Sequence, residues 1–143
     1  MGAVIDHDVW DFYLGKGAPT SALPVATILT LPAAGSESST GTVITKEEGW
    51  LKRAVNSELI YPRFSILNPE LAMTLPPFQV ACGAMDISAH LMERYFTNVK
   101  NVSFTDRLIE GTLKTIMRQA PRILANPQDY DAWSEFMWAG TVA

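Results

Sequence analysis

The chain has little of what would staple it, anchor it in a membrane or grip a polyanion. Cys82 is its single cysteine, so no disulfide can form within it, and a lone thiol fits a reducing, cytoplasmic setting. No apolar run reaches the roughly 18 residues that a transmembrane helix needs. The N-terminus carries Asp6, Asp8 and Asp11 where a secretory leader would be basic and then apolar. No membrane partner is expected. Basic residues are few and dispersed: eleven Lys and Arg stand against fifteen Asp and Glu, the net charge is −4, and Lys52-Arg53 is the only adjacent basic pair. Neutralising phosphates takes clustered cations, so no nucleic-acid partner is expected either. Histidine is scarcer still. His7 and His90 are the only two, and a site built from several imidazoles is beyond them.

What the chain does have is material for a core. Its 143 residues are 48% hydrophobic and 18% charged, a balance that excludes disorder and suits a folded domain of ordinary size. No internal repeat and no low-complexity tract interrupts it.

The apolar pattern changes character along the chain. A short helix or loop is expected over Asp8–Leu14, followed by a Gly-Lys-Gly-Ala-Pro loop. Leu23–Leu31 is continuously apolar and rich in β-branched residues, which predicts a strand buried on both faces. Thr42–Thr45 and Lys52–Ser57 flank Glu47-Glu48-Gly49 and predict a hairpin; Arg63–Leu67 predicts one more short strand, closed by Asn68-Pro69. From Thr74 the period becomes helical. Thr74 is a candidate N-cap, with Pro76-Pro77 in the first turn, where a missing N–H costs nothing. Phe78, Cys82, Met85, Ala89, Met92 and Phe96 make one apolar stripe, and Val80, Ala84, Ile87, Leu91 and Tyr95 make a second. A helix apolar around most of its circumference is expected to be buried, with Cys82 a small core residue. Gly83 weakens that helix and marks a close contact or a break.

Two more helices are expected. One covers Thr105–Leu124, with Leu108, Leu113, Ile116, Met117, Ile123 and Leu124 inward and Pro121 kinking it or ending it early. The other covers Tyr130–Val142, with Trp133, Phe136, Met137 and Trp138 packing inward. Chain order therefore runs from β-rich to all-α. The fold class expected is the end of an α/β domain followed by the first helices of an all-α domain. The division falls at residues 1–72 and 73–143.

Two places carry candidate chemistry. Pro32-Ala33-Ala34-Gly35-Ser36-Glu37-Ser38-Ser39-Thr40-Gly41 follows the predicted buried strand directly. Glycine there allows close backbone approach and the hydroxyls supply donors, as a phosphate or ribose contact requires; an ordinary polar loop has the same composition. The second place is Gly83–Phe96. Asp86 and His90, four residues apart, lie on one helix face and offer a carboxylate oxygen and an imidazole nitrogen, both suited to a divalent ion. A simple hydrogen-bonded pair with no metal would explain them as well. Glu93, one turn on, is either a further ligand or acceptor, or a solvated residue. Lys52 can meet a phosphate or merely decorate the hairpin.

Taken together, Thr30-Leu31-Pro32-Ala33-Ala34-Gly35-Ser36-Glu37-Ser38, Leu75-Pro76-Pro77 and Gly83-Ala84-Met85-Asp86-Ile87-Ser88-Ala89-His90-Leu91-Met92-Glu93 resemble the iron-containing alcohol dehydrogenase family. The likeness is greatest to its butanol dehydrogenase-like and aldehyde-reductase branch. It extends over nearly the whole chain, since Asp8-Val9-Trp10-Asp11 and Tyr130–Ala139 share the family's look. The resemblance implies that Asp86 and His90 bind a catalytic divalent metal, Fe2+ or Zn2+. It also implies that Thr30 and Lys52 contact NAD or NADP, with Ser36 and Ser39 as further candidates in the same loop. No catalytic residue beyond the metal ligands is implied. The α/β part becomes the end of a dinucleotide-binding domain and the helical part the start of a metal-binding domain. The implied reaction is hydride transfer between a small alcohol or aldehyde and the nicotinamide. Ala34 departs from the family, standing where a cofactor-side hydroxyl is common. The family completes its metal site with two later histidines and uses an upstream Gly-Gly-Gly-Ser turn, neither of which occurs here. The expectation is therefore a central piece of a longer enzyme, inactive alone. Two alternatives remain: a non-enzymatic oligomerising or subunit-binding module on the same scaffold, and a glycerol dehydrogenase-like or dehydroquinate synthase-like relative. Apolar faces left uncovered predict a homo-oligomer.

Overall fold

The computed structural model describes residues 1–143, Ala3 by its backbone alone. It resolves into two compact units: Met1–Thr27 with Ser36–Ser65, and Ile28–Gly35 with Ile66–Ala143.

The first unit is built on an antiparallel hairpin. Helix α1 (Trp10–Tyr13) is a single turn whose Trp10, Phe12 and Tyr13 are buried. The chain crosses an irregular stretch to strand β1 (Thr27–Ile28) and then reaches strands β2 (Gly41–Lys46) and β3 (Leu51–Asn56). These two pair from Gly41 opposite Asn56 to Lys46 opposite Leu51, as the turn residues predict. The turn is tight because Gly49 and Trp50 both take positive φ, 81° and 53°. Val55 of β3 packs against the α1 aromatic cluster, and the Tyr13 hydroxyl donates to Thr42 Oγ1 at 3.2 Å.

Strand β1 pairs with β4 (Ser65–Ile66). The bonds Arg63 N–H to Val25 O, Thr27 N–H to Phe64 O and Leu29 N–H to Ile66 O advance along both strands together, so the pairing is parallel. The strand expected over Leu23–Leu31 is thus real but short. It is not buried on both faces: Leu29 is in the core, whereas Leu23, Ile28 and Leu31 are exposed. β-Branched residues supplied the strand, but among the described residues no second layer covers its other side.

The second unit is helical. Asn68 caps helix α2 (Pro69–Ala72) by accepting the Glu70 N–H at 3.1 Å. Helix α3 (Pro77–Tyr95) opens on Pro77 as predicted, but Pro76 is its N-cap and no side chain caps it, so Thr74 does not. Helices α4 (Ser103–Ala125) and α5 (Tyr130–Val142) complete the layer, α4 packing against both α3 and α5. The core is a single stripe from each helix: Val80, Ala84, Ile87 and Leu91; Ile109, Ile116, Ala120 and Ile123; Ala132, Trp133, Phe136 and Met137. Each set recurs at three- and four-residue steps, or their multiples, along one helix face.

The other expected stripe of α3, that of Phe78, Cys82, Met85, Ala89, Met92 and Phe96, does not enter the core. Phe78 and Phe96 are 74% and 78% exposed, Met85 and Cys82 are exposed, and Tyr95, at the end of the covered stripe, is exposed as well. The expectation of an all-round buried helix, with Cys82 inside, is corrected: the neighbours of α3, chiefly α4, cover one stripe of it and leave the other exposed. The same holds for Leu108, Met117 and Leu124 of α4 and for Trp138 of α5, all exposed. Ile109 and Ala120, absent from the predicted face, are buried instead. Helix α4 also runs through Pro121 to Ala125, because Ile123 beyond the proline sits in the same core as Trp133 and Phe136.

Candidate metal centre and cofactor contacts

Asp86 and His90 sit midway along α3, on the side flanking its buried stripe. The buried Ala84, Ile87 and Leu91 anchor the helix, and helical spacing brings the two side chains into register one above the other. Asp86 Oδ2 lies 3.8 Å from His90 Nε2, with the two side chains 48% and 37% exposed. That distance is too long for a hydrogen bond, so neither lone pair is consumed by the other. The pair is not buried, contrary to the expectation for its surroundings, because it belongs to the rim of the core and not to its stripe.

The donor set fits a divalent ion. A carboxylate oxygen and an imidazole nitrogen at this spacing can share one cation, and their exposure leaves the remaining coordination positions open to other donors. Among the described residues, no group of three or more His, Cys, Asp or Glu side chains is placed to hold an ion together. Glu93 therefore does not complete a trio with Asp86 and His90. His7 is in the other unit, its ring edge-on to Phe12 at 5.2 Å.

Gly83 explains how the β1 end meets this helix. It is buried, and a Cβ placed on it would lie 2.5 Å from the Pro32 carbonyl oxygen. Glycine therefore lets the backbone after β1 lie directly on α3, one turn before Asp86. The helix does not break there. Of the two readings for Gly83, a close contact is the one observed.

The residues expected to meet the cofactor are distributed between the units. Thr30 belongs to the helical unit, where it follows β1 and is exposed. Ser36, Ser39 and Lys52 belong to the hairpin unit. Ser36 opens a 3-10 turn, Ser36–Ser38, and is exposed. Ser39 already uses its hydroxyl, accepting the Gly41 N–H at 2.9 Å. Lys52 projects from β3 opposite Thr45, exposed.

Short strand pairs followed in the chain by a helical layer fit the expected fold class, an α/β part continued by the start of an all-α domain. Sequence models agree at both ends: that described as iron-containing alcohol dehydrogenase matches residues 1–69, and that described as the C-terminal part of the Fe-containing alcohol dehydrogenase family matches residues 80–143. The chain belongs to the iron-containing alcohol dehydrogenase family. It is 38% identical over 142 residues to the probable NADH-dependent butanol dehydrogenase 1 of Bacillus subtilis, covering 99% of this chain and 37% of that protein. It is 42% identical over 123 residues to the NADPH-dependent aldehyde reductase YqhD of Escherichia coli, covering 86% of this chain and 32% of that protein. The structure of NADH-dependent butanol dehydrogenase A from Thermotoga maritima superposes with a TM-score of 0.92 at 37% identity, over 99% of this chain and 35% of that one. The chain thus spans about a third of the length of these relatives. Among the described residues no helix is long and apolar enough to cross a membrane.

Proposed function

We propose that these residues form part of an oxidoreductase that moves a hydride between a small primary alcohol or its aldehyde and NAD(H) or NADP(H). In the oxidising direction the alcohol loses its hydroxyl proton and passes its α-hydrogen, with the bonding pair, to the nicotinamide. The single observation that carries this is the Asp86–His90 pair, whose donor atoms lie 3.8 Å apart on α3. Family membership supports it, as do relatives named for butanol and aldehyde substrates and for either nicotinamide cofactor.

Asp86 and His90 would supply two ligands to a divalent ion, iron in our reading and zinc as the alternative. When bound, such an ion supplies Lewis-acid polarisation of the substrate oxygen. Asp86 contributes negative charge and His90, as neutral imidazole, a neutral donor, so the pair offsets one unit of the cation's charge. Thr30, Ser36, Ser39 and Lys52 are our candidates for cofactor contacts, with residues 1–72 on the dinucleotide side and 73–143 on the metal side. Lys52 and the exposed hydroxyls of Thr30 and Ser36 are suited to phosphate or ribose oxygens. The lone thiol supports a cytoplasmic setting.

Titration of the chain with Co2+ or Zn2+ by calorimetry tests the site. We expect weak binding, because two protein ligands leave most of the shell to water, and a loss of more than about tenfold in Asp86→Ala or His90→Ala. Undiminished binding in the double variant would remove the assignment. We further propose that the 143 residues alone do not turn over. A metal-dependent dehydrogenase assay on this chain decides that, and robust activity would overturn it.

A further inference from the structure

We propose that Gly83 and Gly140 form a seat for the buried Pro32, and that this seat sets the spacing between the strand end bearing Thr30 and the helix bearing Asp86 and His90. The proposal rests on the functional reading above for its purpose, though not for its geometry. Gly83 and Gly140 are positioning residues. Neither would touch metal, cofactor or substrate.

Three observations lead to it. At Gly83 an added Cβ would meet the Pro32 carbonyl oxygen at 2.5 Å, the Pro32 carbonyl carbon at 3.7 Å and the Ala33 Cβ at 3.9 Å. The nearest atom is backbone and cannot rotate aside. At Gly140, on α5, an added Cβ would lie 3.7 Å from the Pro32 Cβ and 3.1 Å from Ile87 Cδ1. Pro32 is thus held by glycines from two helices, with the fully buried Ile87 beside the second. Gly111 is the contrast. It lies in α4, yet nothing stands within 4 Å of its missing Cβ, so no neighbour there demands a glycine.

The placement of the seat gives it a consequence. At 100° per residue, His90 lies two turns along α3 and within about 20° of the Gly83 direction, and Asp86 lies one turn along at about 60°. Thr30 is two residues before Pro32, and the strand just ahead of it is tied down by the Leu29 N–H bond to Ile66 O at 2.9 Å. The cofactor-side strand end is therefore clamped one turn before the metal-side pair. Hydride transfer needs reacting atoms about 3–3.5 Å apart, and a misplacement of about 1 Å can cost about a hundredfold in rate. A methyl at Gly83 must part loop and helix by about that much before its contact becomes ordinary.

The native Cys82 supplies the test, being the single cysteine, exposed, and on α3 itself. A nitroxide attached there broadens nearby amide resonances with the inverse sixth power of distance. In Gly83→Ala the broadening at Thr30, Leu31 and Ala33 should fall by about a third for a separation of roughly 12 Å widened by about 1 Å. Gly140→Ala, whose nearest neighbour is a flexible isoleucine tip, should give a smaller fall of the same sign, and Gly111→Ala none. Unchanged broadening at these amides in a folded Gly83→Ala chain would overturn the proposal. Where Gly83→Ala does not fold, unchanged broadening in Gly140→Ala does the same. A parallel Mn2+ titration of the unlabelled chain reads the functional premise separately. Broadening centred on Asp86 and His90 that reaches Leu31 less in the Gly83 variant supports both. Its absence around Asp86 and His90 removes the metal reading while leaving the nitroxide result to judge the seat.

Discussion

Asp129 shows how much one side chain does at a junction of helices. Its carboxylate accepts the Ala132 N–H at 3.0 Å, capping α5, and takes the Arg122 guanidinium from the last turn of α4 at 2.9 Å. The backbone bond from Ala132 is the main reason its pKa lies below the usual carboxylate range; partial burial opposes this and Arg122 adds to it. The sign follows from linkage. A depressed folded pKa stabilises the fold above the unfolded value of about 3.9 and is lost as pH falls through the folded value. Asp129→Asn keeps a capping oxygen and removes the charge, so its melting temperature should lie below wild type at neutral pH. That gap should close in acid. A gap independent of pH between 7 and 2 would contradict the assignment. At this scale the candidate site was legible: Asp86 and His90 stand on one face of one helix because residue spacing alone sets that. Their exposure was not, since the residues around them are apolar and only the neighbouring helix determines which of those are covered.

Among the elements, the hairpin carries a local conflict. Trp50 takes a φ of 53° and is highly exposed, a left-handed conformation that costs a bulky L-residue roughly 1–2 kcal/mol. Trp50→Gly should relieve it. Amide exchange at Ile44 and Val55, whose N–H groups face the partner strand in this register, should slow by about fivefold or more, the equivalent of about 1 kcal/mol; unchanged or faster exchange would show that the tryptophan contributes contacts that outweigh its backbone strain. The hairpin itself was legible because its turn residues and its alternation agree. Helices α3, α4 and α5 were legible from their period, and their ends less so. Thr74 has the chemistry of a cap, yet the chain turns two residues later at Pro76, and Pro121 carries a helix-breaking ring that core packing on both sides overrides.

For the molecule as a whole, the most consequential feature is apolar surface. Phe78, Met85 and Phe96 on α3, Phe104 and Met117 on α4, and Trp138 on α5 are all exposed, more than isolated surface hydrophobes explain. The chain should self-associate. Sedimentation velocity should show a coefficient rising with concentration, and Phe78→Ser with Met85→Ser should reduce the rise. A monomer at every concentration would count against a homo-oligomer built on this surface.

The sequence by itself determined the order of elements, the hairpin turn, the helical register of Asp86 and His90, and the motifs by which the family is recognisable. Each depends on residues close together in the chain, where spacing and turn chemistry act directly. Only the tertiary structure decided which stripe of α3 is covered, that Cys82 and Trp138 face outward, and that Pro32 rests against Gly83 and Gly140. Those depend on which distant segment arrives at a surface. A stripe of apolar residues states that a face can be buried; the partner that meets it, over tens of residues of intervening chain, selects the face that is.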